Sequence, residues 1–72
     1  MMMSKPITFP TEFSYTNSLG YPKKIVIYEP NTEGKYPVML WEMLHGEFCG
    51  SGLMSREDLN AYLEHFGIAD RI

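Results

Sequence analysis

The sequence predicts a small α+β fold, an antiparallel β-meander of three to four strands with one C-terminal α-helix packed on one face. Two observations support this. Short segments rich in β-forming residues, separated by turn residues, occupy 11–52, and one amphipathic helical pattern follows over 55–67. The chain has 72 residues, of which 44% are hydrophobic. That content is sufficient for one core, so we expect one domain over 1–72, in which 1–10 form an extended or partly disordered arm.

Four segments are predicted as strands, and turn chemistry separates them. The strands are predicted at residues 11–16, 24–29, 38–44 and 47–49. His45-Gly46 is interpreted as a two-residue turn between the third and fourth strands. Gly50-Ser51-Gly52 is predicted to end the sheet and to lead into the helix.

The helix over 55–67 carries signals at both of its ends. Ser55 can cap the first turn, and Glu57 and Asp58 place negative charge near the positive end of the helix dipole. Gly67 is predicted to adopt the left-handed conformation that ends many helices. The apolar residues recur at i, i+3, i+4 and i+7, as Leu59, Tyr62, Leu63 and Phe66. A helix this short is not stable alone, so it must pack on the sheet.

The predicted third strand has two apolar sides. Alternate residues point to opposite faces of a sheet. One set is Val38, Leu40 and Leu44, and the other is Met39, Trp41 and Met43. The helix can cover only one set. The other is either closed off by the N-terminal aromatic residues, with Trp41 in the core, or left exposed as a surface for another protein, which Trp and Met favour.

Charge and cysteine content restrict the classes of function. Residues 1–36 carry four Lys and three Glu, whereas residues 37–72 carry two Arg and six acidic residues. This distribution does not suit a general nucleic-acid binder. The single cysteine excludes an internal disulfide and favours a reducing compartment. We find no signal-peptide pattern and no apolar run near the ~20 residues that span a bilayer, so we expect a soluble cytoplasmic protein.

Candidate catalytic and metal sites are weak. His45, Glu47 and Cys49 alternate, and His65 adds a fourth possible zinc ligand, but the paired cysteines of a zinc-deaminase site are absent. Nothing in the sequence places a base beside Cys49. The segment 50–52 lacks the third glycine of a phosphate-binding fingerprint. We therefore expect a non-enzymatic protein that needs no metal or cofactor.

One basic and aromatic cluster is a candidate for binding single-stranded nucleic acid. Its residues are Lys23, Lys24, Lys35 and Tyr28. Aromatic side chains on strands can stack on bases. Three lysines are few for this purpose, so nucleic-acid binding is the lesser alternative.

The remaining hypothesis is a binding protein that contacts another protein. The predicted contacts are Met39, Trp41 and Met43, and an acidic helix face adds electrostatic steering through Glu57, Asn60 and Glu64. The alternative is a homo-oligomeric structural or interaction module, assembled by sheet-face or edge pairing. Apart from the prolines, the predicted edge strands carry few of the features that prevent such pairing.

In its small size, single cysteine and lack of catalytic motifs, the chain resembles the small single-domain proteins that bacteriophages and mobile elements encode to inhibit host machinery. This resemblance implies a regulator or inhibitor that docks on a host protein complex. RNA polymerase and anti-phage defence systems are the targets it suggests.

Overall fold

The computed structural model describes residues 8–72, which form one antiparallel sheet and one helix. The elements are β1 (Thr11–Thr16), β2 (Pro22–Ile27), β3 (Tyr36–Glu42), β4 (Glu47–Met54) and α1 (Arg56–His65). The strands lie in the sheet in chain order, β1-β2-β3-β4, and each pairs antiparallel with its neighbour. The predicted α+β meander with one C-terminal helix is therefore confirmed. Most of the predicted N-terminal arm falls on residues 1–7, which lie outside the described residues.

The core lies between α1 and one face of the sheet. Ile25 and Ile27 of β2, Val38 of β3, and Leu59 and Leu63 of α1 are each at most 4% exposed. The pleat directs alternate residues of β2 and β3 toward the helix, and the helical period returns Leu59 and Leu63 to the same side. Burial of this apolar surface is the main force that holds α1 on the sheet.

Both ends of α1 are formed as the sequence predicts. The Ser55 hydroxyl accepts a hydrogen bond from the Asp58 N–H at 3.1 Å. At the other end Gly67 has a φ of +75°. The Gly67 N–H donates to the Glu64 carbonyl, and the Ile68 N–H donates to the Leu63 carbonyl. These two bonds form the Schellman motif, which satisfies the last carbonyls of the helix.

Aromatic contacts fix the C-terminal half of α1 to β1. The Tyr15 ring lies 4.3 Å from the Phe66 ring, and the Tyr15 and Tyr62 hydroxyls hydrogen-bond to each other. Burial, together with the hydrogen bond to Tyr15, raises the pKa of the Tyr62 hydroxyl above its ordinary value. The phenol is therefore neutral at physiological pH.

The last strand is longer than predicted. Gly50, Ser51 and Gly52 lie within β4, where they pair with Leu40, Met39 and Val38. The prediction that this segment ends the sheet is wrong, because β3 offers a full row of backbone partners and neither glycine needs a positive φ. The sheet therefore continues to Met54, directly before the Ser55 cap.

The turn before β4 also differs from the prediction. Glu42 pairs with Glu47, so the turn contains four residues, 43–46, rather than His45-Gly46 alone. A Glu42 carboxylate oxygen accepts a hydrogen bond from the His45 N–H at 2.9 Å, and Gly46 takes a φ of +71°. The turn ends β3 at Glu42, two residues before the predicted end, so Met43 and Leu44 leave the strand positions predicted for them. Leu44 is 61% exposed instead of facing the core.

A β-bulge interrupts the pairing of β3 with β4. Leu40 pairs with Gly50 and Trp41 pairs with Phe48, which leaves Cys49 as an extra residue. The extra residue shifts the alternation of side chains along β4 by one position. Phe48 therefore lies opposite Trp41, on the side of the sheet away from the helix.

Candidate functional site

The face of the sheet opposite α1 carries a set of apolar side chains. Alternation in β2 and β3 turns these residues away from the helix, and the bulge adds one aromatic from β4. We call this set the open sheet face, and it consists of Val26, Tyr28, Met39, Trp41, Phe48 and Leu53.

Trp41 lies at the centre of the open sheet face. Its ring meets the Phe48 ring edge-on at a centroid distance of 5.5 Å and an interplanar angle of 71°, an arrangement that aromatic pairs favour. Beside it, the Tyr28 hydroxyl donates to the Met39 sulfur at 3.3 Å. Met39 and Trp41 are half-buried.

The open sheet face keeps substantial apolar exposure. Phe48 is 49% exposed, Leu53 is 59% exposed and Tyr28 is 37% exposed. Trp41 is thus neither sealed in the core nor isolated, because it forms the middle of a partly exposed aromatic patch. Contiguous apolar patches on a small domain commonly mark interaction sites.

The charges on the open sheet face are balanced. The Lys24 ammonium lies 3.7 Å from a Glu12 carboxylate oxygen, next to Val26 on the β1 side. The Glu12 side chain is 63% exposed, and a surface pair of this kind contributes little stability. The pair therefore adds no net charge beside the apolar patch.

Several predicted contact residues lie away from the open sheet face. Met43 is in the β3–β4 turn and is 40% exposed, so the prediction that it shares a strand face with Met39 and Trp41 is wrong. Glu57 and Glu64 are exposed on α1, on the opposite side of the sheet. One flat surface therefore cannot include both the Trp41 patch and these acidic residues.

Asn60 does not belong to an exposed acidic face. It is 8% exposed, and its amide forms two hydrogen bonds with the backbone of Ile72. The Ile72 N–H donates to Asn60 Oδ1 at 2.7 Å, and Asn60 Nδ2 donates to the Ile72 carbonyl at 3.4 Å. Its role in the described chain is to hold the C-terminal segment against the helix.

The predicted nucleic-acid residues do not form one patch. Lys24 and Tyr28 lie on the open sheet face, whereas Lys23 is on the helix side, where its ammonium is 3.9 Å from the Cys49 sulfur. Lys35 lies at the end of the β2–β3 turn, which the Asn31 side chain caps. Of the three lysines only Lys24 borders the aromatic patch, and it is paired with Glu12.

A second group of polar side chains surrounds the β3–β4 turn. It lines a shallow cleft formed by Tyr21, Lys23, Glu42, Leu44 and His45. Desolvation opposes ionisation of Glu42, but the hydrogen bonds from the backbone and ring of His45 and from the backbone of Leu44 outweigh it. The pKa of the Glu42 carboxyl therefore lies below its ordinary value.

The residues considered as zinc ligands are separated in the structure. His45 contacts Glu42 in the turn, whereas His65 lies at the end of α1 with its ring against Phe66. Within residues 8–72, no group of three or more His, Cys, Asp or Glu residues is placed to hold a metal ion. The cleft therefore presents the Glu42–His45 pair of the turn and the neighbouring Lys23.

Sequence reasoning missed Val26 and both members of the open sheet face that β4 supplies. Phe48 reaches it only through the bulge at Cys49, and Leu53 reaches it only because β4 extends past the glycines. Neither event has a clear local signal, although an isolated glycine within a strand pattern is one weak indication of a bulge.

No helix in the described part of the chain has the length and apolar character required to cross a bilayer. Comparison of the chain with protein-family models, with curated proteins and with solved structures found no match.

Proposed function

We propose that this protein is a non-enzymatic binding protein whose open sheet face docks on an apolar surface of another protein. The observation that carries the proposal is the partly exposed aromatic patch centred on Trp41, with Phe48 49% exposed beside it. Interface centres are enriched in aromatic and Met side chains and depleted of charge. Trp41 has the position expected of an anchor residue.

The charges of the open sheet face define the kind of partner. The lysine that borders it, Lys24, is paired with Glu12, so this side of the face offers little attraction for a phosphate backbone. Affinity must therefore come mainly from burial of apolar area. The partner we propose has an apolar centre and no strong charge opposite the patch.

The size of the open sheet face indicates a modest affinity. Four strands spaced by about 4.8 Å, each six to eight residues long, present roughly 400 Å². That is about half of what one partner contributes to an interface of standard size. Docking by this face alone is therefore expected to be reversible, unless the partner also contacts neighbouring turns.

We extend the proposal to a regulator or inhibitor, encoded by a phage or mobile element, that acts on a host complex such as RNA polymerase or an anti-phage defence system. The support for this narrower function is the small size of the chain and its lack of catalytic motifs. Identification of the bound protein by mass spectrometry tests it directly.

The test compares wild-type protein with Trp41→Ala, Phe48→Ala and a matched control, Leu19→Ala. Leu19 lies in the β1–β2 turn and is 77% exposed, so its truncation removes apolar surface far from the patch. Each variant is immobilised, exposed to bacterial lysate, and its retained proteins are identified. Affinity is then measured with the purified partner. Trp41 is the only tryptophan, so its fluorescence reports docking on the wild type directly.

We expect the control to retain the same partner as the wild type, and Trp41→Ala to lose at least about 30-fold in affinity, which corresponds to about 2 kcal/mol. A Trp41→Ala variant with an unchanged circular dichroism spectrum that binds the partner as tightly as the wild type would refute the proposal. Tight binding of single-stranded DNA that weakens steeply with salt would instead favour the nucleic-acid alternative.

A further inference from the structure

The free edge of the sheet at β4 is distinct from the open sheet face, because its binding groups belong to the backbone. The Tyr28 N–H bonds to the Pro37 carbonyl, and the Met43 N–H bonds to the Pro22 carbonyl. In an antiparallel ladder, successive residues direct their backbone groups alternately to the two neighbouring strands. The backbone groups of residues 37, 39 and 41 of β3 therefore point toward β2, and those of residues 36, 38 and 40 point toward β4.

This alternation identifies the backbone groups that β4 leaves free. Met54, Gly52 and Gly50 pair with residues 36, 38 and 40, and their backbone N–H and carbonyl groups point toward β3. The N–H and carbonyl groups of Ser51 and Leu53 therefore point away from the sheet. In the part of the chain that the structure describes, these four groups have no hydrogen-bond partner.

The β4 edge also lacks the features that usually protect a free strand. No proline or charged residue lies within 50–54, and a Cβ built at Gly50 or Gly52 meets no atom within 4 Å. The other edge strand, β1, follows Pro10 and carries the charged Glu12 among its outward-facing positions. Charge and proline are the usual means of preventing strands from pairing edge to edge.

We propose that a second copy of this chain pairs with β4 in an antiparallel arrangement about a two-fold axis at Gly52. Ser51 then forms a hydrogen-bonded pair with Leu53 of the second copy, and the symmetric pair repeats it, which satisfies all four free groups of each copy. Gly52 faces Gly52 of the second copy, and Gly50 faces Met54. No charged residues oppose each other in this register.

The side chains are compatible with this register. Within the described residues, a Cβ built at Gly50 meets no atom within 4 Å, so this position does not obstruct Met54 of the second copy, which packs against its own core. On the opposite side, Ser51 lies beside Leu53, which is 59% exposed in the isolated chain. The result is an eight-stranded sheet in which the open sheet faces of both copies lie on the same side, since antiparallel partners share a face.

Disulfide trapping tests the register. The double variant Cys49→Ser, Gly52→Cys places two thiols at a non-hydrogen-bonded pair, where Cα atoms lie about 4.5 Å apart, within the range that a disulfide spans. The matched control is Cys49→Ser, Gly50→Cys, whose two thiols would lie about 13 Å apart along the strands. We expect the Gly52→Cys variant to form a covalent dimer at least tenfold faster under mild oxidation. Equal rates would overturn the proposal.

Sedimentation of the unmodified chain provides a second test. We expect the average mass to rise toward that of a dimer between about 10 µM and about 1 mM, as suits an interface of the low size class. Ser51→Pro removes an outward N–H and should weaken association at least tenfold. The matched control, Ser14→Pro, removes the equivalent outward N–H on β1 and should leave association unchanged. A chain that stays monomeric throughout, or that gains a strand only from a different protein, would overturn the proposal.

One variant distinguishes docking on the open sheet face from pairing through β4. Trp41→Ala removes the centre of the face and leaves the backbone of β4 unchanged. It should therefore dimerise like the wild type while losing its protein partner.

Discussion

Leu63 provides the most direct test of how α1 is held on the sheet. Its side chain is 0% exposed and lies in the same core cluster as Ile25 and Ile27. Replacement by alanine removes about three methyl or methylene groups, worth about 2.4 kcal/mol at about 0.8 kcal/mol per group. The cavity left behind adds to this, so we expect Leu63→Ala to lower the free energy of unfolding by about 2–5 kcal/mol.

This loss is a large share of the stability of so small a protein. At about 0.05–0.15 kcal/mol per residue, the free energy of unfolding of a chain of this size is roughly 4–11 kcal/mol. Urea unfolding, followed by circular dichroism and by Trp41 fluorescence, measures the change. Trp41 lies on the face of the sheet away from Leu63, so its emission in the folded state should not depend on the substitution.

The matched control is Leu19→Ala, because Leu19 is 77% exposed and its truncation should change stability by less than about 0.5 kcal/mol. If Leu63→Ala does not fold, Leu63→Met keeps the volume and should lose less than about 1.5 kcal/mol. A loss for Leu63→Ala below about 1 kcal/mol, with an unchanged dependence on urea, would refute the packing described for α1.

Three further predictions concern polar contacts. Ser55→Ala should lower the free energy of unfolding by about 1 kcal/mol by removing the helix cap, and an unchanged urea midpoint would contradict this role. Asn60→Ala should lower the free energy of unfolding by about 1–3 kcal/mol, because the Ile72 backbone loses its two hydrogen bonds to the Asn60 side chain. Hydrogen exchange at the Ile72 amide should accelerate. Unaltered exchange there would show that Asn60 does not hold the C-terminal segment. Glu42 has a lowered pKa in the folded chain, so its stabilising effect is present at neutral pH and is lost as the pH falls below its ordinary value of about 4.5. Glu42→Gln should therefore show a weaker loss of stability between neutral pH and pH 3 than the wild type, and identical acid unfolding curves would argue against the contact with His45.

Features encoded by nearby residues are the ones that the sequence predicts well. The two ends of α1 depend on Ser55 and Gly67, each of which acts within its own turn, so the helix could be located almost to the residue. The alternation of β3 likewise separates Val38 and Leu40 from Met39 and Trp41, and in the structure the first pair lies on the helix side.

Features that depend on distant partners could not be predicted in the same way. The glycine-rich half of β4 has poor β-propensity and is a strand because β3 supplies its hydrogen bonds. The length of the β3–β4 turn depends on the Glu42 carboxylate, and this displaces Met43 from the open sheet face. The bulge at Cys49 decides where Phe48 points. The centre of the candidate site, Met39 and Trp41, was therefore predictable, and its β4 side was not.

The order of the strands has a consequence for how the chain folds. Each strand pairs with the one before it through a short connection, so all three hairpins can close with little loss of chain entropy. The surface beneath the helix is shared, with Ile25 and Ile27 from β2 and Val38 from β3. The helix therefore has no complete surface to bind until β2 and β3 have paired, so we expect strand pairing to precede helix docking and to limit the folding rate. Substitutions at Leu59 or Leu63 should accordingly speed unfolding while leaving the folding rate nearly unchanged.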